Sequence, residues 1–154
     1  MDSWEDENGE YVNEYPFPAT SVDEYNLLSA LAPCMNLNAD CGKAEYAPRV
    51  KSAVSVWRRI SPYLLNSDFY ALTPYHKSRE KWTCWQFDRP EKGEGVFEVI
   101  RNNAAAQGEL TVHTPVSGTL ELENLVTGEK MTASGSITFR QPLRSVTVWK
   151  YKIV

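Results

Sequence analysis

Beyond Pro62 the spacing of apolar residues in this 154-residue chain changes from a period near 3.6 to a period of 2. That switch limits the carboxy-terminal part to strands. Trp85 and Phe87 share one face, and Phe97 and Val99 repeat the pattern. Leu110 and Val112 follow, then Leu120 and Leu122, then Ile137 and Phe139. The last run places Val146 and Val148 on one face and Trp149, Tyr151 and Ile153 on the other, which requires a bulge or burial of both faces. Turn signals separate the runs at Lys92-Gly93, Gln107-Gly108, Ser117-Gly118, Thr127-Gly128 and Ser134-Gly135. Short strands at such regular spacing form a sandwich or a barrel, and an antiparallel sandwich from about Asp68 to Val154 is expected.

The part before Pro62 reads differently. Residues 1–20 are acidic and rich in Tyr and Pro, with Pro16 and Pro18 setting an extended course. A helix is predicted from Ser21, where Ser21 and Glu24 have capping-box spacing; it buries Val22, Tyr25, Leu28 and Leu31 and stops at Pro33. A second is predicted over Pro48–Ser61, with Val50, Val54, Trp57 and Ile60 inward, Arg58 and Arg59 near its negative end, and Pro62 terminating it. Between them Met35-Asn36-Leu37-Asn38-Ala39 alternates as a short strand does. The expected class is α+β: a helical segment over residues 1–62 and an antiparallel β-sandwich over residues 63–154.

Composition narrows the partners. A net charge of −4 argues against nucleic acid and anionic membrane surfaces. The first residues carry Asp2, Glu5, Asp6 and Glu7 where a secretion signal needs positive charge, and no apolar run approaches a membrane span. A soluble, non-exported chain, cytoplasmic by default, is the expectation. Cys34, Cys41 and Cys84 are odd in number and fit no zinc spacing, so they read as reduced structural thiols. Aromatic residues reach 12%, which fits either an aromatic-rich β core or rings displayed as stacking platforms for sugars.

Several groups invite chemistry. Glu121 and Glu123 lie on one strand face about 7 Å apart, a carboxylate spacing used by inverting glycosidases, but Leu120 and Leu122 take the core and turn both acids to water. His76 and His113 have no Cys, Asp or Glu at ligand spacing, so neither a metal nor another cofactor is expected. No GxSxG elbow occurs, and Gly93-Glu94-Gly95 lacks the third glycine and the helix of a phosphate loop, so it reads as a turn. Asn36, Asn38 and Asp40 alternate toward Cys41-Gly42; their polar groups fit either a pocket at a strand end or local turn hydrogen bonds.

The runs Asp68-Phe-Tyr-Ala-Leu-Thr-Pro-Tyr75, Trp82-Thr-Cys-Trp-Gln-Phe-Asp-Arg-Pro90 and Gly93-Glu-Gly-Val96 resemble the carboxy-terminal part of α-galactosidase-type glycoside hydrolases, the family 36 group and its relatives. Leu125-Val-Thr-Gly-Glu129 and Arg144-Ser-Val-Thr-Val-Trp-Lys-Tyr151 follow the same pattern, over about Asp23 to Tyr151. In that family a (β/α) barrel ends, the chain passes a turn like residues 68–75, and an antiparallel sandwich begins. The resemblance implies that Leu31–Asp40 is the last barrel strand and residues 48–61 the last barrel helix. It would place Asn38 and Asp40 near the sugar pocket, since the carboxyl ends of barrel strands face the active site. The family's two catalytic Asp residues lie on earlier strands absent from this sequence, so no residue here is assigned a catalytic role. The reading is therefore a supporting carboxy-terminal part of an α-galactosidase-like hydrolase of carbohydrate metabolism, acting on α-galactosides only through the whole enzyme. A stand-alone carbohydrate-binding β-sandwich and a small α+β interaction protein are the alternatives. One barrel strand and two helices cannot close by themselves, so residues 20–61 are expected to dock on the sheet or to mediate self-association.

Overall fold

The computed structural model describes residues 3–5, 11–13, 23–31, 33 and 44–154. Two short strands, β1 (Ser3–Glu5) and β2 (Tyr11–Asn13), form an antiparallel pair with Trp4 opposite Val12. Two helices follow, α1 (Glu24–Leu28) and α2 (Ala47–Leu64). The remaining strands are β3 (Asp68–Ala71), β4 (Trp82–Arg89), β5 (Glu94–Arg101), β6 (Glu109–His113), β7 (Thr119–Asn124), β8 (Lys130–Ser134), β9 (Ser136–Arg140) and β10 (Ser145–Ile153). They build one antiparallel sheet of order β3-β4-β5-β10-β7-β8-β9-β6.

That single sheet supplies both layers of the sandwich. Between β8 and β9 only Ser134 and Ser136 pair, flanking Gly135 at φ 67°, and the β6–β9 ribbon turns over the inner face there. Val112, Ile137 and Phe139 from the ribbon meet Cys84, Phe97, Val99, Leu120, Leu122, Trp149 and Tyr151 in one core. Phe139 stands with its ring centroid 5.9 Å from both Phe97 and Trp149. The helices cover the opposite face, where Leu27, Leu28, Val56 and Ile60 bury Val96, Ile100, Val146 and Val148. Central strands β5 and β10 are thus buried on both sides, which accounts for their near-continuous apolar runs. In β10 the choice between bulge and two-sided burial falls to the latter. Its pairing with β5 runs unbroken from Ser145–Arg101 to Lys152–Glu94.

Local expectations need correction at α1, α2, β3 and the turn into β5. Asp23, not Ser21, caps α1; its carboxylate accepts the Asn26 N–H at 2.9 Å, and Glu24 is already helical. The helix ends well short of Pro33, at Leu28, with Ser29 Oγ donating to the Asn26 carbonyl at 3.2 Å.

Pro62 does not terminate α2, which continues to Leu64. Proline withholds the N–H that would bond the Arg58 carbonyl, but the Ser61 hydroxyl donates to that oxygen at 3.5 Å. Burial of Tyr63 and Leu64 on the sheet then repays the extra turn. The buried stripe is Ala53, Val56, Ile60, Tyr63 and Leu64, with Val50 and Trp57 only half-buried beside it. It is rotated from the expected one, with Ala53 buried in place of Val54.

Residues 68–71 form strand β3 paired to β4 rather than a turn. Finally, Gly93 is a left-handed turn residue closing the 3-10 turn Pro90–Lys92, whereas Glu94 and Gly95 belong to β5. The expected strand over Met35–Ala39 lies outside the described residues, as do Cys34 and Cys41.

Candidate functional site

The two residues singled out for sugar binding, Asn38 and Asp40, lie outside the described residues. The described acids arrange themselves otherwise. Glu121 stands opposite Lys152 and Glu123 opposite Lys150. Lys152 also pairs with Glu94, and Glu94 with Arg89, giving a row Arg89, Glu94, Lys152, Glu121 of alternating sign across four strands. Arg89 Nη1 lies 3.5 Å from Glu94 Oε1. The Glu121–Glu123 pair is therefore part of a cross-strand charge ladder, not a facing dyad.

The histidines stay apart. His76 Nε2 donates to the Trp82 carbonyl at 3.0 Å and pins the loop before β4, while His113 is exposed on β6. Cys84 is fully buried, and burial raises its thiol well above the ordinary value, so it is held as the unreactive thiol. Among the described residues no group of His, Cys, Asp and Glu forms a metal-holding set.

Two features of the helix-covered face stand out instead. Glu98 sits in β5 between Val96 and Ile100, across from Trp85 on β4 and Val148 on β10, and is 2% exposed. Its Oε1 is buried with no hydrogen-bond partner, and desolvation raises its pKa well above the carboxylate range. A charged residue inside the run Val96-Phe-Glu-Val-Ile100 was the available sequence signal, and sequence reasoning passed over it.

The helices also stop short of the sheet's edge. Phe69 on β3 lies on the same face, its ring 5.2 Å from Phe87 and 6.4 Å from Trp85, yet it is 55% exposed. Leu65, just past α2, is 51% exposed. The Phe69 and Trp85 rings are tilted by 57°, so together they offer a shaped apolar edge rather than a flat platform.

Inside the sandwich a polar chain is closed on itself. The Tyr151 hydroxyl donates to Asp88 Oδ1 and accepts from Gln86 Nε2 at 3.0 Å; Thr114 Oγ1 donates to Gln86 Oε1 at 2.9 Å. Tyr151 and Gln86 are fully buried and Asp88 nearly so, which marks the chain as structural.

The tryptophans answer the question of displayed rings. Trp82 and Trp149 are buried, their indole N–H groups donating to the Gln107 carbonyl and to Thr147 Oγ1, each at 2.9 Å. Trp57 and Trp85 are half-buried. Among the described residues the aromatic content serves mainly the core, and Tyr75, at 86%, is the most exposed large ring.

These features define a class: a helix-backed antiparallel sandwich of α+β type. No family model matches the chain, and no curated protein matches it. Solved structures do. The chain is similar to α-galactosidase I from Mortierella vinacea, with a TM-score of 0.58 and 12% identity, over 91% of this chain and 38% of that one. It is similar to an Anoxybacillus α-amylase, with a TM-score of 0.54 and 18% identity, over 78% of this chain and 24% of that one. A family 36 α-galactosidase from Geobacillus stearothermophilus matches with a TM-score of 0.50 and 14% identity, over 73% and 16%. The similar structures are consistently glycoside hydrolases, and this chain spans roughly a quarter to two-fifths of the first of them. At such identities the likeness establishes the fold.

Proposed function

We propose that this chain is the carboxy-terminal part of an α-galactosidase-like glycoside hydrolase, supporting a catalytic barrel and shaping one wall of its entrance. The observation that carries this reading is the match over 91% of this chain to little more than a third of an α-galactosidase. The uncovered apolar edge of Leu65, Phe69 and Trp85 supports it, because tilted rings beside a helix end suit a packed protein neighbour better than a sugar. In this reading residues 1–62 continue the barrel and residues 63–154 form the sandwich. Asn38 and Asp40 then lie beside the sugar pocket, and the catalytic carboxylate pair, with its retaining two-step chemistry, belongs to the rest of the enzyme.

The test has two arms. The pure polypeptide should show no turnover of an aryl α-galactoside; turnover abolished by Asp40→Asn would overturn the proposal. Fused behind a family 36 barrel stripped of its own carboxy-terminal part, the chain should restore soluble, active enzyme. Failure there, where the barrel's own tail succeeds, would also count against it.

A further inference from the structure

Strand β3 stands at one margin of the sheet, and the usual devices that blunt such a margin are missing from it. It holds Asp68, Phe69, Tyr70 and Ala71, with no Lys and no Pro, and pairs with β4 residue by residue without a bulge. Asp68, Phe69 and Ala71 are exposed. One hydrogen bond fixes where its free backbone points. The Leu72 N–H donates to the Cys84 carbonyl at 2.9 Å, and these residues stand opposite in the register that continues from Ala71 and Trp85. Bonded and non-bonded pairs alternate in an antiparallel ladder. Asp68 and Tyr70 therefore turn their backbone groups toward β4, while Phe69 and Ala71 turn theirs outward in the plane of the sheet.

That margin is complementary to itself. A two-fold axis perpendicular to the sheet keeps every side chain on its own face, so a second β3 can join only where residues of one face stand opposite each other. With the axis at Phe69, its N–H and carbonyl bond those of Phe69 in the second copy. The two Phe69 rings then meet on the helix-covered face. Asp68 stands opposite Tyr70 of the second copy, a carboxylate acceptor facing a phenol donor. An axis at Tyr70 would instead set Phe69 opposite Ala71 and leave Asp68 facing Leu72.

We propose that two copies of this chain associate by pairing their β3 strands antiparallel about a two-fold axis at Phe69, so that one sheet runs through both molecules. The contact is short and belongs to the weak class of interfaces. The inference is independent of the barrel reading. It uses backbone groups that point sideways from the sheet, whereas Leu65, Phe69 and Trp85 meet a barrel across its face.

Sedimentation equilibrium of the full chain gives the first test. The weight-average mass should climb from that of one chain toward twice that value between about 10 µM and about 1 mM. Ala71→Pro removes an outward N–H that β4 does not use, so it should hold the chain monomeric with its circular dichroism unchanged. The second test is a cross-link on a Cys34→Ser, Cys41→Ser background, Cys84 being buried. Mild oxidation should join two Phe69→Cys chains, because the facing Cα atoms are about 5.5 Å apart. Tyr70→Cys should not join, because its two Cα atoms stand roughly 8 Å apart, beyond disulfide reach. A mass that stays at one chain, a dimer that survives Ala71→Pro, or Tyr70→Cys linking as readily as Phe69→Cys would overturn the proposal.

Discussion

Gly95 and Tyr151 are cross-strand partners at the centre of the sheet, and the phenol of one fills the space a side chain on the other would need. A Cβ at position 95 would lie 2.6 Å from Tyr151 Cζ, and closer still to its hydroxyl and to the Phe87 carbonyl. Gly95→Ala should therefore destabilise the fold by about 3 kcal/mol, measured by urea unfolding. Tyr151→Phe should not rescue it, because the Phe87 carbonyl remains in the way.

Tyr151 also sets an alkaline limit. Burial, with the hydrogen bond to Asp88, raises its phenol far above the ordinary tyrosine value. The folded state holds this proton more tightly than the unfolded one, so its contribution is fully present below about pH 10 and falls as pH rises further. Tyrosinate absorbance should show this group titrating only as the protein unfolds. Tyr151→Phe should move alkaline unfolding to higher pH, while lowering neutral-pH stability by about 1–3 kcal/mol through the unpaired Asp88 and Gln86.

Glu98 works in the same sense at lower pH. Its folded pKa is raised by desolvation, so stability from this group is complete below the unfolded carboxylate range and is lost as pH climbs toward the folded value. Thermal melts across pH 4–8 should register that decline on top of the other carboxylates. Glu98→Gln should flatten it and raise neutral-pH stability by about 1–2 kcal/mol. A melting temperature lowered at neutral pH would show instead that the charged carboxylate has a partner.

Phe69→Ser tests the uncovered edge. More than half of the side chain already meets water, so the loss of stability should stay within about 1 kcal/mol. Binding of a hydrophobic dye such as anilinonaphthalene sulfonate should fall clearly, and the fusion to a barrel should lose the restored activity.

The period-2 runs revealed strands β6, β7 and β9 because alternation reports burial on one face, and β4, β5 and β10 because a strand buried on both faces still repeats its large apolar residues every second position. It failed where burial took another form. Strand β8 carries only Met131 and Ala133, both half-buried, among Lys130, Thr132 and Ser134, so its apolar signal is faint. Strand β3 was hidden by a sequence rich in turn formers beyond Ala71. In α2 the rule that Pro62 ends a helix lost to the tertiary burial of Tyr63 and Leu64, which no local rule contains. Of the site, Glu121 and Glu123 were rightly turned to water, but their lysine partners depend on a register set by strands far apart in sequence. Glu98 went unread because a lone charge in an apolar run has no meaning until a helix is known to cover it.

The turn at Ser134–Gly135–Ser136 has a consequence for how this chain behaves in a crowd. Two separate sheets stacked as a sandwich would present four open margins. One sheet doubled over at that corner presents two, at β3 and β6. The β6 margin is polar on alternate residues, with Glu109, Thr111 and His113 exposed. The β3 margin is four residues long and carries Phe69, so any unwanted templating of strand on strand would begin there.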